Sequence, residues 1–171
     1  MPLTLLLGGA RSGKSSLALA RARALGVPVV FVATAEALDA EMEERVARHR
    51  AERDPAWTTV EAPLHPERAL AEAPPEACAI FDCLSLWVAN LVQRDVSEAE
   101  IVQRSWRAAE DAAARPGLTI AVSNEVGMGV VPEFELGRRY RDALGRVNAA
   151  WAEHADEALL VVAGRTLELV R

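Results

Sequence analysis

The stretch GGARSGKSS, residues 8–16, decides the fold of this 171-residue chain. A short apolar run precedes it and a helical pattern follows it. The spacing Gly8-x-x-x-x-Gly13-Lys14-Ser15 between a strand and a helix is that of a phosphate-binding loop. Glycines let the backbone turn its N–H groups toward an anion, and the helix adds its positive N-terminal end. The stretch therefore predicts an α/β protein that binds a nucleotide.

Lys14 is chemically constrained, because it is the only lysine among 19 basic residues and all the others are arginine. A compact ammonium on a flexible stem suits this position, whereas a planar guanidinium would not. We expect Lys14 to reach the β and γ phosphates and the Ser15 hydroxyl to bind Mg²⁺. A sole lysine in the loop also excludes the Asn-Lys-x-Asp motif that switch GTPases use to read guanine.

Outside the loop, apolar runs alternate with helical patterns, which is typical of an α/β protein with a largely parallel sheet. We expect one domain over residues 1–171. The predicted strands are residues 3–7, 29–34, 77–82, 118–123 and 158–163, with weaker candidates at 58–61 and 167–170.

The helical patterns predict helices at 16–25, 36–53 and about 132–154, and residues 62–76 read as a loop around a short helix. The longest helix repeats apolar residues at steps of three and four, which predicts a core-facing stripe. The members of that stripe are Leu136, Tyr140, Leu144, Val147 and Trp151. We expect Trp87 and Trp106 to pack in the core as well.

Composition excludes several classes of protein. A net charge of −6 argues against a nucleic-acid binder, and the apolar run at 3–7 is too short for a membrane span or a signal sequence. Cys78 and Cys83 lie in or beside an apolar run and lack metal-ligand spacing, so we expect buried free thiols. Reduced thiols favour a cytoplasmic location.

The stretch RVARHRAER, residues 45–53, places a single histidine, His49, among four arginines. On a helix Arg45 and Arg53 lie one turn to either side of His49, and such a cluster can hold phosphates. The alternative is ordinary pairing on a helix surface, since Glu41 and Glu44 precede arginines by four residues. His65 and His154 have no comparable setting, and we expect surface or capping roles for them.

A second candidate for the phosphate site is Asp82, at the end of the predicted strand 77–82. An acidic residue at the tip of a neighbouring strand holds Mg²⁺ or its water in many P-loop enzymes. Asn124 and Glu125 follow the strand 118–123, so they too are expected to face the site, as positioners of substrate or metal.

The chain resembles the family of bifunctional adenosylcobinamide kinases and adenosylcobinamide-phosphate guanylyltransferases over nearly its full length. The resemblance rests on ordered segments: GGARSGKS at 8–15, ATAEALDAEM at 33–42, RVARHRAER at 45–53 with Trp57 and Glu61 after it, FDCLSLWVANL at 81–91, SNEVGMGVVPE at 123–133 and RDALGRVN at 141–148. The last two are the most specific, because general P-loop chemistry does not demand them.

The resemblance implies a RecA-like P-loop NTPase fold with helices flanking the sheet, a homotrimer, and two reactions in cobalamin biosynthesis. ATP or GTP would phosphorylate adenosylcobinamide. The family's histidine, His49 here, would then take GMP from GTP and pass it to adenosylcobinamide phosphate, giving adenosylcobinamide-GDP. Mg²⁺ would be the cofactor, with Ser15 and Asp82 as its ligands, and Lys14 and His49 would be catalytic.

The nucleotide contacts implied by the resemblance fall in five places. They are the loop residues Gly8, Gly9, Ala10, Arg11, Ser12, Gly13, Lys14 and Ser15; the strand-end residues Ala33, Thr34 and Ala35; Arg50, Ala51, Glu52 and Arg53 after the histidine; Glu61; and Asp82. The two carboxylates could accept from guanine N–H groups or hold Mg²⁺.

Two other functions remain open at this stage. A monofunctional small-molecule kinase would need no covalent histidine and could use Arg138, Arg139 and Arg141 as a lid on the phosphates. A nucleotide-gated binding module would order a surface for a partner when the loop is occupied, and would hydrolyse nucleotide slowly.

Overall fold

The sheet has seven strands in the order β3-β2-β4-β5-β1-β6-β7, as seen in a computed structural model that describes residues 2–37 and 39–170, except for the side chains of Glu41 and Arg45. Strands β1 to β6 are parallel, and β7 runs antiparallel to β6. The strands are β1 Leu3–Leu7, β2 Val29–Ala33, β3 Thr58–Glu61, β4 Cys78–Asp82, β5 Thr119–Val122, β6 Glu157–Val162 and β7 Arg165–Glu168.

Helices lie on both faces of the sheet, because its central strands are apolar on both sides and need cover from each. The helices are α1 Lys14–Leu25, α2 Ala40–Ala51, α3 Pro66–Glu72, α4 Leu84–Gln93, α5 Glu98–Ala114 and α6 Glu135–His154. Buried side chains of α1 pack with Phe31 and Ile80 on one face. On the other face Trp87 of α4 and Trp151 of α6 pack against Phe81, with ring centroids 5.8 and 5.4 Å from it.

The predicted α/β fold with a largely parallel sheet is confirmed, and so are free, buried Cys78 and Cys83. Each predicted strand is present, and no strand boundary differs from its predicted position by more than two residues. No helix within the described residues is long and apolar enough to cross a membrane.

The helix predicted at 36–53 is wrong at both ends, since α2 spans Ala40–Ala51. Asp39 is extended and its carboxylate accepts from the Met42 amide at 2.8 Å, so it caps the helix and sets its start. Leu38, the first residue of the predicted apolar stripe, lies outside the described residues. The helix predicted from about 132 begins at Glu135.

Two predicted core residues are exposed. Trp106 is 45% exposed, because it lies on the outer side of α5 and contacts the ring of His154 edge-on at 4.7 Å. Leu136 is 50% exposed in the first turn of α6, whereas Leu144, Val147 and Trp151 further along the stripe are buried. Helical spacing identified the correct face of α6 but not how far the core extends along it.

Candidate active site

A cavity of about 560 Å³ opens where the carboxyl ends of β1, β2, β4 and β5 meet. Ligands of open parallel sheets bind at this edge. The phosphate-binding loop forms one side and α2 forms another. The volume falls within the range of pockets that hold small-molecule ligands.

The loop curls around the ammonium of Lys14. Its Nζ donates to the carbonyl oxygens of Gly8 at 2.8 Å and Gly9 at 2.7 Å, and the residue as a whole is only 7% exposed. Gly13 has φ +101° and stands directly before α1, a conformation that a side chain would strain. The amides at the start of α1 and the Lys14 ammonium therefore face one small volume, which is suited to a phosphate.

The ends of β2 and β4 are joined beneath the cavity. The amide of Thr34 donates to the Asp82 carbonyl at 3.1 Å, and the Thr34 hydroxyl bonds to the backbone of Cys83. Ala33, Ala35 and Asp82 line the cavity, while Thr34 is wholly buried behind it. Burial raises the pKa of the Cys83 thiol to about 11, so this cavity thiol stays protonated and is a poor nucleophile.

Helix α2 brings His49 to the same cavity, together with Arg48, Glu52 and Arg53 at or just beyond its end. The Arg53 guanidinium lies over the ring of Phe31, 3.8 Å from its centroid. Burial lowers the pKa of Arg53, although the nearby Asp82 carboxylate opposes this shift. Arg53 is thus a half-buried cation close to the strand-end carboxylate.

Some predicted contacts lie outside the cavity. Arg50 forms an ion pair with Glu61 at the end of β3, and both side chains are more than half exposed. Neither of these residues nor Ala51 lines the cavity. The Arg45 side chain lies outside the described part of the chain.

Residues 4–169 match the family described as cobinamide kinase / cobinamide phosphate guanyltransferase. The chain is 44% identical over 166 residues to the bifunctional adenosylcobalamin biosynthesis protein CobP of Pseudomonas aeruginosa, covering 96% of this chain and 95% of that protein. The chain belongs to this family. It is also 35% identical over 178 residues to the bifunctional adenosylcobalamin biosynthesis protein CobU of Escherichia coli, covering 95% of this chain and 96% of that protein.

Among solved structures, a KaiC-like protein from Pyrococcus horikoshii resembles this chain with a TM-score of 0.55 and 16% sequence identity. The alignment covers 92% of this chain and 69% of that protein. This likeness concerns the fold alone. Together with the phosphate-binding loop and the parallel sheet it confirms the RecA-like P-loop architecture.

In this family member the loop residues Ala10 to Ser15, the strand-end residues Ala33 and Ala35, and His49, Glu52, Arg53 and Asp82 all line one cavity. Gly8 and Gly9 face Lys14 through their carbonyls. Asn124, expected near the site, lines the cavity, whereas the Glu125 carboxylate accepts from the Gly127 amide outside it.

Two buried asparagines support the site from behind, and sequence reasoning missed their roles. Asn90 of α4 donates to the carbonyls of Thr34 at 2.8 Å and Pro63 at 3.0 Å. Asn148 of α6 accepts from the Ser123 hydroxyl at 2.6 Å and donates to the Asn124 carbonyl at 3.0 Å. The sequence does hold one indication of these roles, since each asparagine lies on a helical face that is otherwise apolar.

The proposed arginine lid is not formed in this structure. Arg138 donates to the carbonyls of Pro132 and Glu133, Arg139 pairs with Asp95, and Arg141 pairs with Asp142. None of the three lines the cavity. Their guanidinium groups instead contact the segment before α6, the connection between α4 and α5, and Asp142 on α6 itself.

Proposed function

We propose that this chain phosphorylates adenosylcobinamide and then transfers GMP from GTP to adenosylcobinamide phosphate, with His49 as carrier of the guanylyl group. The observation that carries the proposal is that His49 and Lys14 line one cavity, in a chain of the cobinamide kinase / cobinamide phosphate guanyltransferase family. A phosphate cradle and a nucleophilic imidazole facing one cavity suit both phosphoryl and nucleotidyl transfer.

In the first reaction the substrate hydroxyl oxygen attacks the γ-phosphorus of the nucleoside triphosphate. The bond from that phosphorus to the β-phosphate oxygen breaks, the hydroxyl proton is released, and the nucleoside diphosphate leaves. Lys14 and the amides at the start of α1 stabilise the negative charge on the phosphate oxygens. Arg53, half-buried near Asp82, lines the same cavity and adds a second cation to it.

In the second reaction a ring nitrogen of His49 attacks the α-phosphorus of GTP. An N–P bond forms, the bond to the β-phosphate oxygen breaks, and pyrophosphate leaves. A phosphate oxygen of adenosylcobinamide phosphate then attacks the same phosphorus, the N–P bond breaks, and the imidazole is regained. Because the Cys83 thiol is kept protonated by burial, it does not compete with His49.

Mg²⁺ fits the donors of this cavity through the Ser15 hydroxyl and the Asp82 carboxylate. The described residues contain no cluster of three or more histidine, cysteine or acidic side chains that could hold a metal alone. Magnesium needs no such cluster, since it binds through one or two protein oxygens, substrate phosphates and water. Bound there, it would neutralise phosphate charge. A homotrimer and a cytoplasmic location, implied by the family resemblance, stay predictions.

Incubation with adenosylcobinamide, ATP, GTP and Mg²⁺, followed by mass spectrometry of the products, tests the proposal. The wild type should form adenosylcobinamide phosphate and then adenosylcobinamide-GDP. His49→Ala should form the first product only. Lys14→Arg should lower both by roughly 100-fold, because a guanidinium does not fit the carbonyls around Nζ.

Arg107→Lys is the matched control, because it also exchanges an arginine and a lysine but does so at an exposed position on α5. It should leave the formation of both products unchanged. Formation of adenosylcobinamide-GDP by His49→Ala at the wild-type rate would contradict the role of His49. Absence of both products from the wild type would contradict the proposed function as a whole.

A further inference from the structure

The helix that carries His49 is not packed into the core. None of the described side chains of α2 is fully buried, whereas α1, α4, α5 and α6 each bury several. Most helical stability in proteins comes from packing an apolar face. The position of α2 beside the cavity must therefore depend on the contacts of the segments that flank it.

The C-terminal flank of α2 is tied to the body by two arginines. Arg23 of α1 donates to the carbonyl oxygen of Glu52 at 2.6 Å. Arg53 stacks on Phe31 of β2. Both contacts lie within four residues of His49, so they fix the end of the helix near the cavity.

The N-terminal flank of α2 is tied to the C-terminal half of α4 through Thr34 and Glu36. Asn90 donates to the Thr34 carbonyl, and the Glu36 carboxylate accepts from Nη2 of Arg94 at 2.9 and 3.0 Å. A second nitrogen of Arg94, Nη1, donates to the Asn90 carbonyl at 3.0 Å. Arg94 therefore links the end of α4 to the segment that leads into α2, and it does not line the cavity itself.

We propose that Arg94 is a positioning residue for guanylyl transfer: its ion pair with Glu36 fixes the start of α2 and so the place of His49 in the cavity. The inference rests on the proposed function of His49. A guanidinium shared between a carboxylate and a helix-end carbonyl has a restricted direction, so it can define the course of a connecting segment. The phosphate cradle lies on β1 and α1 and does not depend on this link.

Arg94→Ala should slow the labelling of the protein by GTP carrying label at the α-phosphate on the order of tenfold, because a small displacement of a nucleophile has a large effect on rate. The rate of adenosylcobinamide phosphorylation should change by less than about twofold, since Lys14 is unaffected. The midpoint of thermal unfolding should fall by less than about 4 °C, as for other surface ion pairs. A merely structural role would lower both activities together.

Two comparisons isolate the pair. Arg146→Ala removes another surface ion pair, with Glu98 at 2.7 Å, and should leave the labelling rate unchanged. The double variant Glu36→Ala with Arg94→Ala should label no more slowly than Arg94→Ala alone, because both changes break one interaction. Hydrogen exchange of the α2 amides should be faster in Arg94→Ala and unchanged in Arg146→Ala.

Equal labelling rates for the wild type and Arg94→Ala, or an equal loss of both activities, would overturn the inference while leaving the proposed function intact. A wild-type protein that takes no label would instead overturn the role of His49. In that case hydrogen exchange alone decides whether Arg94 holds α2, and unchanged exchange in Arg94→Ala would refute it.

Discussion

The side-chain hydroxyl of Thr34 donates to the carbonyl oxygen of Cys83 at 2.7 Å, and the amide of Cys83 donates back to that hydroxyl at 2.8 Å. Thr34 has no exposed surface. A single hydroxyl therefore bonds to both backbone groups of the residue after Asp82, and the Cys83 carbonyl also accepts from the Trp87 amide at 3.2 Å. This contact joins the ends of β2 and β4, which carry the two strand-end segments of the cavity.

Thr34→Val should lower the free energy of unfolding by about 2 kcal/mol, because valine keeps the shape but leaves the buried Cys83 amide without an acceptor, while the Cys83 carbonyl keeps the Trp87 amide as a donor. Thr34→Ser is the matched control, since it keeps the hydroxyl and loses one methyl group, at about 1 kcal/mol. Equilibrium unfolding in urea measures both. A Thr34→Val protein as stable as Thr34→Ser would show that these bonds contribute little.

Gly8→Ala should destabilise the protein by about 2–4 kcal/mol. Gly8 has φ +153°, and an added Cβ would meet the Val161 carbonyl oxygen at 2.3 Å, a contact that only backbone movement can relieve. Gly9→Ala is the neighbouring control, because a Cβ there meets nothing within 4 Å. Thermal unfolding of the two variants side by side should separate them clearly, and similar midpoints would disprove the steric account.

Stability should fall in acid partly through Glu157. Hydrogen bonds from Arg21, one of them at 3.1 Å, hold the pKa of this carboxyl below its usual value of 4.5, and a bond from Thr4 acts in the same direction. A carboxyl whose pKa is lowered by folding stabilises the protein at any pH above its pKa in the unfolded chain. This contribution is lost as the pH falls through its pKa in the folded protein.

Unfolding free energies measured between about pH 6 and pH 3 test this prediction. The loss of stability is expected to begin near the pKa that the carboxyl has in the unfolded chain and to grow as the pH falls further. The wild type should lose more stability over that range than Glu157→Gln, which has no charge to lose. Glu67→Gln, at another partly exposed carboxyl, controls for general acid effects. Parallel curves for the wild type and Glu157→Gln would count against the linkage.

The strands and the phosphate-binding loop could be predicted because their signals are local. The run Leu3–Leu7 followed by glycines and Lys14 identifies strand, loop and helix in one continuous stretch. A buried parallel strand reads as a continuous apolar run, so the bounds of Val29–Ala33 and Cys78–Asp82 could be predicted closely.

The long-range contacts could not be predicted, because their partners are far apart in sequence. The pattern of residues 36–53 favours a helix from Glu36, but the Glu36 side chain pairs with Arg94 and the cap at Asp39 delays the helix. Asn90 and Asn148 contact carbonyls 56 and 24 residues away, respectively. No periodicity in one helix indicates such partners, so the support behind the cavity became visible only in three dimensions.

Labelling with GTP that carries label at the α-phosphate, in the presence of Mg²⁺ and followed by denaturation, tests the central claim most directly. The wild type and His65→Ala, whose histidine lies outside the cavity, should retain label that acid removes and alkali does not, as expected of a histidine phosphoramidate. His49→Ala should retain none. A wild-type protein that binds GTP but takes no label, or a His49→Ala protein that is labelled equally, would contradict the covalent role of His49.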